Sequence, residues 1–261
     1  MLNKYFDINE SDLSLRCKLY YNPQTKIKNL VLFGHGFGGH KENKAAEKFS
    51  EKLLSKEKNC AVITFDWPCH GKDNYPRLSL DICDKYLNLL LDYFNFRFGL
   101  PFFLKEEDPL SIYYYGVSFG GYLALKYIHE HSNPFKKIAL RCPAVNMINS
   151  LSTAILNEDT KLLLSKGKDV LAGFDRKIKI NQIFLDELYA NDISKYDFLN
   201  YADDIMIIQG TKDEIVSFED SKNFCDSNII EFIEVDGADH RFTDPKKMDY
   251  AISEIIKFFF K

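Results

Sequence analysis

Apolar runs alternate with stretches of helical spacing along almost the whole chain, and this alternation constrains the fold more than any other feature. Most of the runs are nearly continuous in apolar residues, as expected of strands buried on both faces. Between them, apolar residues recur every three or four positions, which is typical of amphipathic helices. Strands joined by helical crossovers form a mostly parallel sheet with helices on both faces. Strands are predicted at 13–22, 28–36, 60–71, 111–117, 136–144, 204–210 and 229–237, and a closing helix from Pro245.

Roughly 55 residues between Pro143 and Tyr201 interrupt this alternation, whereas an ordinary connection has about 4–6 residues. We therefore predict that residues 1–143 and 201–261 form an α/β core. Residues 144–200 are predicted to be an insertion over the carboxyl edge of the sheet, a lid. The alternative is a structural excursion with no role in binding. Three aromatic residues of the insertion either line a substrate pocket or pack the insertion onto the sheet: Phe174, Phe184 and Tyr189.

Composition and charge exclude several classes of function. The formal net charge of −4 and the interspersed acidic and basic residues leave no basic stripe for binding nucleic acid. No apolar run is long enough to span a bilayer, and the first residues lack the apolar core of a secretory signal. Six scattered cysteines without paired spacing suit reduced thiols and do not suit a zinc site. We therefore expect a cytoplasmic protein with no membrane or nucleic-acid partner.

Ser118 lies in "YYYGVSFGGY", directly after a predicted buried strand and before a helical pattern. The G-x-S-x-G pattern in this context is typical of a nucleophile elbow, a sharp turn that exposes the serine hydroxyl. Residues two positions before and after the serine must lack bulk in such a turn, and Gly116 and Gly120 meet that need. The sequence favours a nucleophilic Ser118 over the alternative, an ordinary serine in a glycine-rich bend.

A serine nucleophile needs a general base and an acid that orients the base. His240 is the best candidate base, because "VDGADHRF" follows the last predicted strand, where a loop can reach over the sheet edge. Asp213 is the best candidate acid, because "GTKDEIV" follows the strand at 204–210. The order Ser118, Asp213, His240 is that of α/β-hydrolases. Less suitable residues are His129 and His131 on a helix, His35 and His70 as loop braces, Asp236 and Asp239 as competing acids, and Asp203 and Asp204 at the opposite edge.

Acyl transfer also needs hydrogen-bond donors for the oxyanion that forms at the attacked carbonyl. One predicted donor is the backbone N–H of Phe119, the residue after the serine. The other is the backbone N–H of Phe37, because the glycines of "HGFGGHKEN" let that loop approach the site. A phosphate-binding loop is the alternative for "GHGFGG", but the spacing is not G-x-G-x-x-G and no Walker lysine follows.

The segments "GHGFGG", "GVSFGG", "GTKDEIV" and "GADHRF", in this order and spacing, resemble the α/β-hydrolase superfamily over about residues 25–260. With the long insertion, "HGFGGHKE" and "GADHRFTDP" are similar to bacterial feruloyl and cinnamoyl esterases. The resemblance implies an eight-stranded, mostly parallel sheet and a serine esterase that needs no cofactor or metal. It maps the nucleophile, acid and base onto Ser118, Asp213 and His240, and the oxyanion donors onto Phe37 and Phe119. The family's elbow usually has a polar or small residue at position 119, so we expect the bulky, apolar Phe119 either to narrow the site or to exclude water from it.

The predicted function is therefore hydrolysis of a carboxylic ester through an acyl-enzyme. The expected partner is a small-molecule ester with a small to medium acyl group or an aromatic acid. An acyl-thioesterase and an acyl-aminoacyl peptidase with the same three residues are alternatives. A non-catalytic binding protein on this fold is a third alternative, which the presence of all three residues disfavours. The sequence predicts neither the natural substrate nor the oligomeric state.

Overall fold

The computed structural model describes residues 1–96 and 110–261, and ten strands lie within them. Eight of the strands form one sheet, and two form a small separate sheet. In chain order they are β1 (Leu2–Glu10), β2 (Leu13–Tyr21), β3 (Asn29–Gly34), β4 (Cys60–Phe65), β5 (Ser111–Val117), β6 (Ile138–Arg141), β7 (Val170–Ala172), β8 (Ile178–Ile180), β9 (Ile205–Gly210) and β10 (Glu231–Val235).

The large sheet has the strand order β1-β2-β4-β3-β5-β6-β9-β10. Strand β2 pairs antiparallel with both β1 and β4, and every other neighbouring pair is parallel. Parallel neighbours follow from the crossover helices, which return the chain to the same edge of the sheet before each new strand. The prediction of a mostly parallel, eight-stranded sheet flanked by helices is confirmed.

Helices cover both faces of the large sheet, and each face has its own apolar core. Side chains alternate along β5, so Tyr114 belongs to one core and Tyr113 and Tyr115 to the other. The first core includes α2, α3, α6 and α7, and the second includes α1 and α8. The helices are α1 (Lys44–Lys56), α2 (Leu80–Phe96), α3 (Phe119–Glu130), α4 (Met147–Ser150), α5 (Glu158–Ser165), α6 (Gln182–Ala190), α7 (Phe218–Asn228) and α8 (Pro245–Phe259).

Two features of the sheet differ from the sequence-based expectation. Strand β1 was not predicted from the residues, because it is an edge strand in which Ile8 alone is buried, so it has no apolar run. The predicted strand 60–71 ends at Phe65, since the apolar residues that follow it belong to a buried turn around Trp67. The closing helix begins at Pro245 as predicted, with Asp244 as its N-cap.

Residues 144–200 contain α4, a π-helical turn at Leu151–Ile155, α5, the antiparallel pair β7–β8, α6 and a 3₁₀ turn at Ile193–Lys195. This segment is tied to the core. The Glu187 carboxylate accepts hydrogen bonds from Ser79 Oγ (3.0 Å) and from the N–H of Leu80, at the start of α2 (2.8 Å). Among the described residues, no helix combines the length and the apolar character needed to cross a membrane.

Candidate active site

Ser118 lies on the turn between β5 and α3, with φ of 52° and ψ of −116°. Non-glycine residues rarely adopt positive φ, so the surrounding contacts must hold this conformation. The Ser118 N–H donates to the carbonyl of Arg141 (3.1 Å), and its own carbonyl accepts from Gly121 (2.9 Å) and Ala144 (3.2 Å). The local geometry is the strand, sharp turn and helix that the sequence predicted.

Glycines surround this turn because backbone segments approach each other too closely for a side chain. A Cβ at Gly120 would overlap the carbonyl of Gly34, where β3 ends. A Cβ at Gly116 would lie 2.8 Å from the Cα of Gly121. Such separations are essentially unknown for real Cβ atoms, so both glycines are required for the turn to form.

Asp213 and His240 meet at the carboxyl edge of the sheet, in the loops after β9 and β10. Nδ1 of His240 lies 3.0 Å from Oδ1 and 2.9 Å from Oδ2 of Asp213. An ionised carboxylate can only accept, so Nδ1 carries a proton in this contact, and in the neutral imidazole Nε2 is then an acceptor. This is the tautomer that a general base requires.

Three further donors hold the Asp213 carboxylate. The backbone N–H groups of Ile215 (2.9 Å) and Val216 (2.8 Å) donate to Oδ1, and Gln209 Nε2 donates to Oδ2 (2.8 Å). Burial raises the pKa of Asp213, but His240 and the two backbone donors more than offset it, so the pKa lies below its usual value. The carboxylate therefore stays ionised beside His240 at neutral pH.

Sequence reasoning missed two neighbours of Asp213. Gln209 is fully buried in β9. A single polar side chain in the otherwise apolar strand "IMIIQG" could have indicated that it has a buried partner. Cys142, with φ of 47°, is buried at the end of β6. Its thiol, Asp213 and His240 have potential metal-ligand atoms within 4.8 Å of one another. The half-buried Asp84 and the exposed Glu130 and His131 form the other such group among the described residues.

Ser118 and His240 line the same cavity, which has a volume of about 320 Å³. Each of the two residues is 9% exposed, so both are largely buried in the wall of this cavity. Phe37 lines it from the loop after β3, and Phe174 and Arg176 line it from the 144–200 segment. The structure thus brings Ser118, the Asp213–His240 pair and Phe37 to one edge of the sheet.

Two contacts of His35 hold the loop that carries Phe37. His35 Nδ1 lies 2.9 Å from the Gly36 carbonyl, and Trp67 Nε1 donates to the His35 carbonyl (3.0 Å). Burial, followed by the proximity of His70, holds the pKa of His35 well below its usual value, so the ring is neutral. The Phe37 N–H donates to no other protein group in the described parts of the chain, which leaves it free for a ligand.

The ring of Phe119 does not narrow the cavity, contrary to expectation. It is fully buried and is absent from the cavity wall. It stacks on Tyr122 (6.1 Å between ring centroids) and packs edge-on against Phe37 (5.9 Å) and Phe184 (6.2 Å). Phe119 is the first residue of α3, where an N–H has no acceptor within the helix. Its side chain supports the site while its N–H remains available.

The other candidate residues have different partners. Asp236 accepts from Thr211 Oγ1 (3.2 Å), and Asp239 accepts from the N–H and hydroxyl of Thr243 (2.7 Å each). Asp213 is therefore the acid that contacts the His240 ring. On α3, His129 stacks on Tyr196 (3.7 Å between ring centroids) and His131 contacts Asp84 (3.0 Å). His70 contacts the Pro68 carbonyl (2.8 Å). Asp204 forms an ion pair with Lys137 (3.3 Å).

Two family profiles match the sequence. The profile of the prolyl oligopeptidase family matches residues 107–261, and that of serine aminopeptidase, S33, matches residues 25–183. Each covers more than half of the chain. The chain belongs to the serine hydrolases of the α/β-hydrolase superfamily. No curated protein matches it in sequence.

Solved structures of other proteins share this α/β-hydrolase fold. A putative hydrolase from Agrobacterium vitis S4 is 17% identical, with a TM-score of 0.75 over 99% of this chain and 98% of that one. Est1E from Butyrivibrio proteoclasticus with bound ferulic acid is 18% identical, with a TM-score of 0.71 over 97% of both chains. A monoacylglycerol lipase from Paleococcus ferrophilus is 18% identical, with a TM-score of 0.64 over 95% of this chain and 98% of that one. At such identities the likeness is one of fold.

Proposed function

We propose that this serine hydrolase is a carboxylesterase that acts through an acyl-enzyme on a small-molecule ester. One observation carries the proposal: His240, which is hydrogen-bonded to Asp213, lines the same cavity as Ser118, which is held on a strained turn. The proposed roles are those of nucleophile for Ser118, base for His240 and orienting acid for Asp213. They follow the geometry that acyl transfer by a serine requires.

In the proposed reaction, Ser118 Oγ attacks the ester carbonyl while Nε2 of His240 accepts its proton. Asp213 stabilises the imidazolium that forms, because its carboxylate is ionised and aimed at Nδ1. The N–H groups of Phe37 and Phe119 donate to the oxyanion, and His240 returns the proton to the departing alcohol. In the second half of the reaction, His240 accepts a proton from water as the water oxygen attacks the acyl carbonyl. His240 then returns the proton to Ser118 Oγ, and the acid is released.

The cavity supports an acyl group of small to medium size or a single aromatic ring. Its volume of about 320 Å³ lies near the lower limit of about 300 Å³ for ligand pockets. Phe37, Phe174, Ile155 and Ile215 contribute apolar surface to the wall. The ferulic acid bound to Est1E, a protein of the same fold, supports an aromatic acid as one such acyl group.

We also propose that residues 144–200 act as a lid on the core formed by residues 1–143 and 201–261. Ile155 and Phe174 to Arg176, all from this segment, form part of the cavity wall. Its three predicted aromatic residues have different surroundings. Phe174 lines the cavity, Phe184 is buried against Phe119, and Tyr189 is 62% exposed. Only the first of them is placed to contact a substrate.

The second candidate function is that of an acyl-aminoacyl peptidase. Matches to the prolyl oligopeptidase and serine aminopeptidase profiles favour it, and the proposed serine chemistry would serve an amide as well as an ester. An acyl-thioesterase would use the same residues again. Comparing kcat/KM for matched butyryl derivatives separates the three: an oxygen ester, a thioester and a butyryl-alanyl anilide. The carboxylesterase predicts the highest value for the oxygen ester.

The decisive experiment compares Ser118→Ala with Ser253→Ala, a control that changes a half-buried serine on α8, outside the cavity wall. Wild type and the control should hydrolyse 4-nitrophenyl butyrate and be labelled by a fluorophosphonate probe. Ser118→Ala should do neither while retaining the circular dichroism spectrum of the wild type. Undiminished turnover by Ser118→Ala contradicts the proposal, and a wild type that is inactive and unlabelled supports the non-catalytic alternative.

A further inference from the structure

Arg141, the last residue of β6, lies in the cavity wall, and its side chain has no ionic partner among the described residues. The residue is 4% exposed, and its Nε has no hydrogen-bond partner within the described part of the chain. Its Nη1 lies 2.9 Å from the thioether sulfur of Met248, and its guanidinium lies 5.2 Å from the ring centre of Phe242. No carboxylate in the described ranges lies within ion-pair distance of it.

The other buried basic side chains of the described residues are all paired. Lys18 contacts Glu42 (3.1 Å), Lys41 contacts Asp66 (2.9 Å), and Lys126 contacts Glu130. A buried charge without a counter-ion is costly, and arginine cannot relieve the cost by losing its proton. A thioether is a weak acceptor and an aromatic face compensates only in part. A negatively charged ligand in the cavity would supply the counter-ion that Arg141 lacks among the described residues.

A second element of the cavity also favours negative charge. The 13-residue helix α1 begins at this cavity, with its N-cap Asn43 and Ala45 in the wall. Helix N-termini attract anions, because their N–H groups and macrodipole present partial positive charge. Arg176 and Arg241 line the cavity too, against a single acidic residue, Asp175, which is paired with Arg241 (3.1 Å). Basic groups thus outnumber acidic groups among the described residues that line the cavity.

We propose that the natural ester carries a carboxylate and that Arg141 binds it, so that Arg141 determines specificity for an anionic substrate. This inference rests on the proposed ester hydrolysis. Arg141 directly neighbours the nucleophile turn, since it pairs with Val117 and its carbonyl accepts from the Ser118 N–H. Because Arg141 and Ser118 line one cavity, the proposed substrates are esters in which a short spacer joins the carboxylate to the scissile carbonyl, such as the half-ester of a short dicarboxylic acid.

The test compares anionic and neutral esters that share a skeleton. Mono-4-nitrophenyl glutarate and its methyl ester place the charge in the acyl group. The butyrate esters of 4-hydroxybenzoate and of methyl 4-hydroxybenzoate place it in the alcohol. The quantity measured is the anionic-to-neutral ratio of kcat/KM after subtraction of uncatalysed hydrolysis. The wild type should have a high ratio for one pair, and that pair identifies which side of the ester bears the carboxylate.

Arg141→Met should lower that ratio about 10–100-fold, mainly through KM for the anionic ester, because one charge-assisted interaction is lost. Arg141→Lys should retain part of the preference. Arg16→Met is the matched control: it removes a positive charge that is paired with Asp7 outside the cavity wall, and should leave the ratio unchanged. A structural role of Arg141 would slow both esters equally, and an unchanged ratio in Arg141→Met overturns the inference.

The outcome separates this inference from the proposed function. A wild type that hydrolyses the neutral esters but prefers neither anionic ester overturns the anionic specificity and leaves the esterase standing. A wild type that hydrolyses no ester contradicts the esterase. The carboxylate site is also tested without turnover: the free acid of the preferred pair, glutarate or 4-hydroxybenzoate, should raise the Tm of the wild type and not that of Arg141→Met. An equal shift in both proteins, or in neither, overturns the site.

Discussion

The imidazole of His240 faces both carboxylate oxygens of Asp213, at 3.0 and 2.9 Å, although the two residues lie 27 positions apart in the chain. Parallel pairing of β9 and β10 brings them together, because the loops after both strands emerge at the same edge of the sheet. Gln209 lies in β9, four residues before Asp213, and its Nε2 donates a hydrogen bond to the Asp213 carboxylate. The carboxylate of the proposed acid is thus held by a side chain of β9, by backbone N–H groups of its own loop and by the imidazole of His240.

Asp213→Asn should reduce kcat for 4-nitrophenyl butyrate by about 10³–10⁴-fold, since an amide no longer selects the tautomer with the proton on Nδ1. Asp236→Asn is the matched control, because Asp236 follows the neighbouring strand and bonds Thr211 instead of His240. Steady-state kinetics on both variants measure the effect. Similar kcat values for the two variants would exclude Asp213 as the orienting acid.

Gln209→Met should reduce kcat by about 10-fold, because one hydrogen bond to a charged acceptor is lost next to the base. Gln209 is a positioning residue, so KM should change little. Gln182→Met, which removes an exposed amide on α6, should leave both parameters unchanged. Kinetics and Tm are measured together, and a fall in Tm with unaltered kcat would assign Gln209 a structural role only.

Gly120→Ala should destabilise the protein by about 1–3 kcal/mol or more, because the added methyl group meets the backbone carbonyl of Gly34, which cannot move aside. Gly167→Ala is the comparison, since a Cβ there meets no described atom within 4 Å and only the positive φ of 71° opposes it, a cost of about 1–2 kcal/mol. Urea unfolding measures both values. A smaller loss for Gly120→Ala than for Gly167→Ala would refute the steric argument.

His70 should make the fold sensitive to acid. Burial lowers the pKa of His70 from 6.5 to about 4 in the folded protein. The unfolded chain therefore binds a proton between pH 6.5 and 4 that the folded protein does not, and stability falls as the pH falls through this window. A shift of this size corresponds to at most about 3 kcal/mol.

His70→Phe keeps a ring that can pack against Phe37 and Phe119 and removes the titrating group. The variant should lose less stability than the wild type between pH 6.5 and 4, whatever its stability at neutral pH. Urea unfolding at several pH values gives the slope for each protein. Parallel slopes would show that His70 already binds its proton in the folded state.

The residues by themselves determined the layered α/β fold and the order of the proposed site. Buried strands alternate with amphipathic helices because each element must hide an apolar face, and this periodicity is local. The turn around Ser118 was equally predictable, since its glycines are needed for close approach of the backbone. The edge strand β1 escaped prediction because its side chains are mostly exposed, and an exposed strand needs no apolar pattern.

The tertiary structure decided what each side chain faces, because the partners come from distant parts of the chain. The sequence predicted that the side chain of Phe119 would narrow the site or exclude water from it. In the structure its ring is fully buried and packs against Phe37 and Phe184. Arg141 lies within the predicted strand 136–144, and only the fold buries it in the wall of the cavity without a counter-ion among the described residues. Local periodicity fixes which elements form, whereas the balance of charge in a cavity depends on elements that meet only after folding.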